Sequence, residues 1–509
     1  MPAVRIPSTR PGRDRCPGRA ALGFGVLASV AIAACGDVGS PSPRAALVPV
    51  ARVEGPITAG RPPFVAGTAI DLATVGYEAS EWFLSGTARS FEPRGSFEPD
   101  GRWTVAPGAT ADFRTRILVY RPIDAARASG TVVAEWLNVS GGLDAAPDWI
   151  SLHTELIRSG HAWVGVSAQY VGVEGGAGPL GSGATSLKKV DPVRYGSLAH
   201  PGDSFSYDIF SQAGAALLRR DGPDPLGGLR ADRLVAVGES QSAFRMTTYV
   251  NAIDPVARLF DGFLVHSRGG GSAPIVQAPV GEVAMPTSVR IRDDVRVPVL
   301  TFQTETDLLG LRFLPDRQSD GPLFRLWEVA GTAHADVYTL YVGFSDTGDS
   351  PEAAAIVVNA EPIPGIIRCN SPVNSGPSHF VLKAGFAALD RWIRTGEAPS
   401  NAPRIAVSGS PAAIERDRFG NAKGGIRTPH LDVPIATLSG EGQAGGAFCG
   451  LFGTTVPFDG ATLRELYASE ADYAAKVREA AARGVADGWI LPADERLFGD
   501  AADLVRFPG

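Results

Sequence analysis

Cysteine, methionine and histidine are scarce in this 509-residue chain, at four, three and seven residues. So few cysteines exclude a disulfide-stapled scaffold, and a chain this long can bury a core without one. The seven histidines never fall into HExxH or another metal-ligand spacing, so no metal is implied, and no motif asks for a cofactor. Also missing is any basic stripe. The net charge is −7, and an acidic surface repels phosphate backbones, which argues against nucleic acid as a partner. There is no apolar run long enough to span a bilayer comfortably. The longest, ALGFGVLASVAIAA, has the length of a signal-peptide core.

That run follows five arginines (Arg5, Arg10, Arg13, Arg15, Arg19) and ends in IAAC, residues 32–35. An apolar residue, two small ones and a cysteine resemble a bacterial lipoprotein signal. Residues 1–34 are therefore expected to be a leader, with Cys35 taking the lipid and 35–50, rich in Gly, Ser and Pro, acting as a tether. The protein is expected to be exported and held at a membrane only through that anchor. Losing residues 1–34 removes five positive charges and one negative, Asp14, which takes the net charge from −7 to −11. Of the remaining cysteines, Cys369 and Cys449 are free to pair in an oxidising compartment.

Beyond the tether, strand-like runs alternate with helical patterns. RTRILVYRP (114–122), GTVVAEWLNV (130–139), HAWVGVSAQYV, RLVAVG, DGFLVHS (261–267), VPVLTFQTE (297–305) and FRLWEVAG (324–331) read as strands. DWISLHTELIRSG, SYDIFSQAGAALLRR and FVLKAGFAALDRWIRTG (380–396) read as helices. Strands apolar throughout, such as LVAVG and PVLTF, are covered on both faces, so the expected class is α/β with a mostly parallel sheet and flanking helices. Residues 51–400 form the expected core. Residues 401–509 are a Gly- and Pro-rich C-terminal extension packed on it, as a lid or a wall.

The chemistry centres on VGESQSA. In a nucleophile elbow, G-x-S-x-G, the serine sits on a strand-to-helix turn so tight that the residues two before and two after it must be small. Here they are Gly238 and Ser242, and serine adds only a hydroxymethyl group. Ser240 is then the nucleophile, and the Gln241 amide at the helix start faces the reacting oxygen. A second oxyanion donor is expected after EWLNV, at Val139, with Asn138 contributing its amide or bracing the loop. An acid and then a histidine should follow in the chain. Strand 297–305 runs into TETDL, offering Asp307 on the turn, with Glu305 as the alternative acid. His334 lies in TAHAD, beyond FRLWEVAG, with His379 as its rival. The remaining histidines read as solvated or packed residues, His266 at the rim of the site.

With these residues in place, the phrases EWFLSGTA, RTRILVYRP, EWLNVSGG, VGESQSA, QTETD, RLWEVAGTAHAD, ALDRWIRTGEAP, GNAKGGIRTPHLDVP and CGLFGTTVPF resemble a bacterial α/β-hydrolase domain family of predicted serine hydrolases and esterases. The likeness runs from about residue 80 to 460. It implies the α/β-hydrolase fold and supports Ser240, Asp307 and His334 as the triad, without supplying a substrate. Within GNAKGGIRTPHLDVP, Arg427 is read as tying down the C-terminal segment in preference to binding a substrate carboxylate. The expected activity is hydrolysis of a small carboxylic ester through an acyl-enzyme. The alternative is a catalytically silent surface lipoprotein that kept the scaffold as a binding module. Dehalogenases and epoxide hydrolases place an aspartate at the elbow, so Ser240 argues against both.

Overall fold

Alternation along the central strands decides how the layers are built. In the strand Arg233–Glu239, Leu234 and Ala236 face one apolar core while Val235 and Val237 face another. The strand Gly262–His266 divides in the same way, with Phe263 and Val265 opposite Leu264. A strand apolar on both sides can be accommodated only in the middle of a three-layer arrangement. The computed structural model describes residues 48–508, apart from 177–184, 220–221, 366 and 447. The expected leader, Cys35 and most of the tether lie outside the described residues.

Among the described residues, nine strands form one sheet: β1 (Arg52–Glu54), β2 (Tyr77–Pro93), β3 (Val105–Pro122), β4 (Thr131–Trp136), β5 (Ala162–Val166), β6 (Arg233–Glu239), β7 (Gly262–His266), β8 (Val299–Thr304) and β9 (Phe324–Val329). Their order is β1-β2-β3-β5-β4-β6-β7-β8-β9. The pairs from β5 through β9 are parallel, and β1, β2 and β3 add an antiparallel edge. The hairpin β2–β3 is longer than the single run 114–122 read from the sequence. Residues such as Ala106 and Ala111 are poor strand formers alone, and pairing with Glu92 and Ala88 of β2 supplies what local propensity does not.

Two helices, Pro147–Arg158 and Ser378–Thr395, cover one face, where Trp149, Leu152 and Leu156 meet Phe386, Leu389 and Trp392 in one core. On the other face lie Ser206–Leu218 and Gln241–Thr248, where Phe210, Met246, Tyr249 and Phe260 pack together. Each large apolar side chain buried this way contributes about 1.5 to 3 kcal/mol. Because β4 sits between β5 and β6, the chain winds in opposite directions on either side of it. A crevice therefore opens beyond the C-terminal ends of β4 and β6, where sheets of this kind place their sites.

Residues 401–508 contribute the hairpin Ala436–Ser439 with Thr454–Pro457 and the helices Glu470–Ala486 and Glu495–Asp503. These helices share a third core with Phe380, Val337 and Tyr338. Fully buried Asp494 joins Arg158 at 2.9 Å and Lys383 at 3.1 Å, each from a helix of the main sheet. No helix among the described residues is long and apolar enough to cross a membrane.

Cys369 and Cys449 form a disulfide across 80 residues of sequence. Cross-linking so long a loop restricts the unfolded chain, so replacing both cysteines with serine is expected to cost about 4 kcal/mol of unfolding free energy. Denaturant unfolding of the double variant against wild type measures it, and equal midpoints would show that the bond contributes nothing.

Candidate active site

At the end of β6 the chain passes from strand to helix in one residue. Ser240 takes φ 55° and ψ −117°, a backbone conformation that costs a non-glycine residue about 1 to 3 kcal/mol. It is held there by its own amide, which donates to the His266 carbonyl at the end of β7 at 2.9 Å, while Phe244 N–H bonds back to the Ser240 carbonyl at 3.1 Å. The turn brings Gly238 against Ser242. A Cβ on residue 238 would lie 3.0 Å from the Ser242 carbonyl oxygen and 3.2 Å from its Cβ. Only glycine avoids that backbone contact, so the elbow's steric demand falls on Gly238, and the side of residue 242 has room for a hydroxymethyl group. The Ser242 hydroxyl is nevertheless fully buried, with no hydrogen-bond partner among the described residues. Ser242→Ala is therefore expected to stabilise the protein by about 1 kcal/mol, read as a higher thermal midpoint. A lower midpoint would mean that the hydroxyl is satisfied.

The loop after β9 carries His334 back over the same crevice. Its Nε2 lies 2.8 Å from Ser240 Oγ and its Nδ1 lies 2.7 Å from Asp307 Oδ1. Asp307 belongs to the short helix Glu305–Leu309, and its other oxygen accepts from Thr304 N–H at 2.7 Å and Thr304 Oγ–H at 2.9 Å. One carboxylate oxygen thus caps the helix and the other faces the imidazole. With Nδ1–H given to Asp307, Nε2 is left to accept from Ser240. Burial works against an imidazolium at His334, yet the hydrogen bond and charge of Asp307, with Glu239 adding to them, raise its pKa above the ordinary histidine value.

Glu305 does not reach the histidine. Its carboxylate accepts from Gly331 N–H at 2.6 Å, from Gly440 N–H at 3.0 Å and from Arg416 at 3.2 Å, with burial raising its pKa. It clips the C-terminal segment to the His334 loop. Two further bonds do the same: Ala335 N–H donates to the Leu451 carbonyl at 3.2 Å, and Thr306 Oγ–H to the Gly440 carbonyl at 2.6 Å.

The amides of Gln241, at the start of the helix after Ser240, and of Val139, in the loop after β4, donate to no protein acceptor among the described residues. Both follow the C-terminal ends of the neighbouring strands β4 and β6. Asn138 is occupied otherwise. Its Oδ1 accepts from Ser140 N–H at 2.7 Å, and its Nδ2 donates to the Glu239 carbonyl at 3.2 Å and to Glu239 Oε2 at 3.0 Å. It braces the loop. Gln169, just beyond β5, exchanges side-chain hydrogen bonds with Gln241, donating at 2.8 Å, and so fixes the residue after the serine.

The other sequence candidates are held by partners of their own, His266 at the rim beside the serine and the rest away from it. His379 is buried and stacked on Tyr338 with ring centroids 3.5 Å apart, and neither of its nitrogens has a hydrogen-bond partner among the described residues. His266 bonds to Asp148 at 2.8 Å. Arg427 reaches Asp432 at 2.8 Å and the Leu431 carbonyl at 2.8 Å, inside the C-terminal segment. Among the described residues no cluster of His, Cys, Asp or Glu could hold a metal ion. Sequence reasoning missed Glu239, although it stands inside the motif. The middle position of G-x-S carries no steric rule, and only the geometry shows what the side chain faces.

A model of the alpha/beta hydrolase domain family matches residues 53–498, and the chain belongs to that family. Solved structures similar to it include a thermostable esterase from Pseudomonas putida, at 12% identity over 47% of this chain and 66% of that one, with a TM-score of 0.25. Esterases from Rhizomucor miehei match at 11% identity over 53% of this chain and 83% of theirs, TM-score 0.27. An alpha-beta serine hydrolase homologue from Coxiella burnetii matches at 9% identity over 44% and 84%, TM-score 0.25. No curated relative matches the sequence.

Proposed function

We propose that the protein is a serine esterase, hydrolysing a small carboxylic ester with Ser240, His334 and Asp307 as its triad. The observation that carries this reading is the unbroken chain of contacts from Ser240 Oγ to His334 Nε2 and from Nδ1 to Asp307, beside two uncommitted amides. His334 Nε2 takes the Ser240 proton as Oγ attacks the carbonyl carbon, and the carbonyl's π pair moves to oxygen, between the Gln241 and Val139 amides. The proton then passes to the leaving alkoxide as the C–O bond breaks. Water repeats the sequence on the acyl-enzyme and frees the acid. Asp307 holds the tautomer and stabilises the imidazolium. Esters are proposed over amides because their cleavage asks least of the site.

Export and a lipid anchor at Cys35 belong to the same proposal. The signal-like leader supports them, and so does the Cys369–Cys449 disulfide, a bond that persists in oxidising compartments. Mass spectrometry of the mature N-terminus tests the anchor: an unmodified terminus beginning elsewhere rejects it.

A fluorophosphonate probe tests the chemistry, with a panel of p-nitrophenyl esters of increasing acyl length. Labelling at Ser240 and turnover of short esters are expected. A folded protein that takes no label would instead be a silent scaffold used for binding.

A further inference from the structure

Glu239 is the last residue of β6 and the immediate neighbour of the serine. Only 8% of its surface is exposed, and among the described residues it makes no ion pair with a lysine or arginine. Its Oε1 lies 3.3 Å from His334 Nε2, the same nitrogen that faces Ser240 Oγ at 2.8 Å. Its Oε2 takes the Asn138 side-chain N–H at 3.0 Å. The titratable groups around it are His334 from the loop after β9, His266 from the end of β7, Asp148 from the helix Pro147–Arg158 and Asp307 from the helix Glu305–Leu309. The two histidines favour its charge. Burial, followed by the two aspartates, opposes it.

Bracing Asn138 does not by itself call for an acid here. A glutamine would accept that bond as well, but its NH₂ would then point at Nε2 and compete with Ser240 for the lone pair. A carboxylate cannot compete in that way, and it gives a newly formed imidazolium a second anion on its reactive side. We propose that Glu239 is a second acid of the site, a carboxylate that must be ionised for His334 to accept the Ser240 proton and that stabilises the resulting imidazolium at Nε2. This rests on the hydrolase reading of Ser240 and His334.

The proton bookkeeping is closed. On attack, the Oγ–H proton moves to Nε2 as the new O–C bond forms. Nε2–H then faces Glu239 and the leaving oxygen, and it is delivered to the oxygen as the ester C–O bond breaks, which returns the imidazole to neutral. Glu239 keeps its charge throughout. When Glu239 is protonated instead, its O–H donates to Nε2 and occupies the lone pair that Ser240 needs. Burial pushes its pKa up to about 7, offset in part by His334 and His266, so the protonated form is populated on the acid side of neutrality. Two protons must therefore leave the free enzyme before it is active, one from His334 and one from Glu239.

Two measurements test this. For a neutral activated ester, log kcat/KM against pH should approach a slope of two at the acid end in wild type. It should approach one in Glu239→Gln, with the plateau lower by about 10- to 100-fold, and two again in Glu239→Asp. Independently of turnover, NMR titration of the His334 imidazole should show its pKa falling by about one unit in Glu239→Gln, since a facing anion is lost. A slope of one in wild type, or a slope of two retained by Glu239→Gln, overturns the proposal, and so does a His334 titration that does not move. If no ester is turned over while the His334 shift is present, the hydrolase reading fails and the coupling of Glu239 to His334 stands.

Discussion

Ser240→Ala is expected to lower kcat for ester hydrolysis by roughly 10⁶-fold, leaving a folded protein that no longer takes a fluorophosphonate label. The loss is large because in the proposed mechanism the serine is both nucleophile and proton donor, and among the described residues no other hydroxyl is hydrogen-bonded to His334 Nε2. Removing Oγ leaves the bond from Ser240 N–H to the His266 carbonyl and the helix that follows untouched, so the fold should persist. The same position offers a check on stability. Because φ is 55° there, Ser240→Gly should be just as inactive yet more stable than Ser240→Ala, by about 1 kcal/mol. Assays on p-nitrophenyl acetate and thermal unfolding of both variants measure this. Residual turnover near wild type in either variant would place the nucleophile elsewhere.

Asp307→Asn is expected to cost about 10⁴-fold in kcat, against little change for Glu305→Gln. The asymmetry follows from which atoms are already committed. In the wild type one oxygen of Asp307 accepts from Thr304 N–H and Oγ–H, and the other from His334 Nδ1–H. An asparagine must keep its oxygen on the Thr304 amide, so its NH₂ turns to Nδ1. The imidazole then carries its proton on Nε2 and cannot accept from Ser240. Glu305→Gln disturbs only the clip to Gly331, Gly440 and Arg416. Its effect should appear in unfolding, at about 1 to 3 kcal/mol. Steady-state kinetics of the two variants side by side measure the contrast, and the reverse order would move the acid to Glu305.

Much of this was legible in the sequence because the central strands advertise themselves. RLVAVG, DGFLVHS and FRLWEVAG are short, apolar and bounded by turns, and each falls within a residue or two of its observed strand. Ser240, Asp307 and His334 could be named because a strand-end position is itself a spatial coordinate: parallel neighbours end on the same edge of the sheet. The long hairpin was less visible. In β2, Tyr77–Pro93, small residues such as Ala79, Gly86 and Ala88 interrupt the alternation, and the strand depends on its partner. The short elements between 400 and 460 were hidden for a related reason. Their order comes from side-chain clips such as Asn374 Nδ2 donating to the Gly331 and Ser439 carbonyls, both at 3.1 Å, and these leave no periodic trace. Glu239 was missed because no pattern rule governs its position, whereas Asp307 was preferred to Glu305, two residues away, for its place on the turn, and their hydrogen-bond partners separate the two in the structure.

The clips between the His334 loop and residues 439–451 also bear on when activity arises during biosynthesis. A chain extended only to about residue 400 already contains Ser240, Asp307 and His334. It lacks the Gly440 amide that Glu305 receives, the Leu451 carbonyl that takes the Ala335 amide, and the cysteine that pairs with Cys369. The loop bearing the histidine is held partly by earlier sequence, through His334 N–H to the Thr306 hydroxyl at 3.3 Å and Val337 N–H to the Asn374 carbonyl at 2.9 Å, and partly by sequence made last. A nascent or C-terminally clipped chain would thus carry every reacting group on a less firmly held loop, and full hydrolytic competence would come only when synthesis is nearly complete.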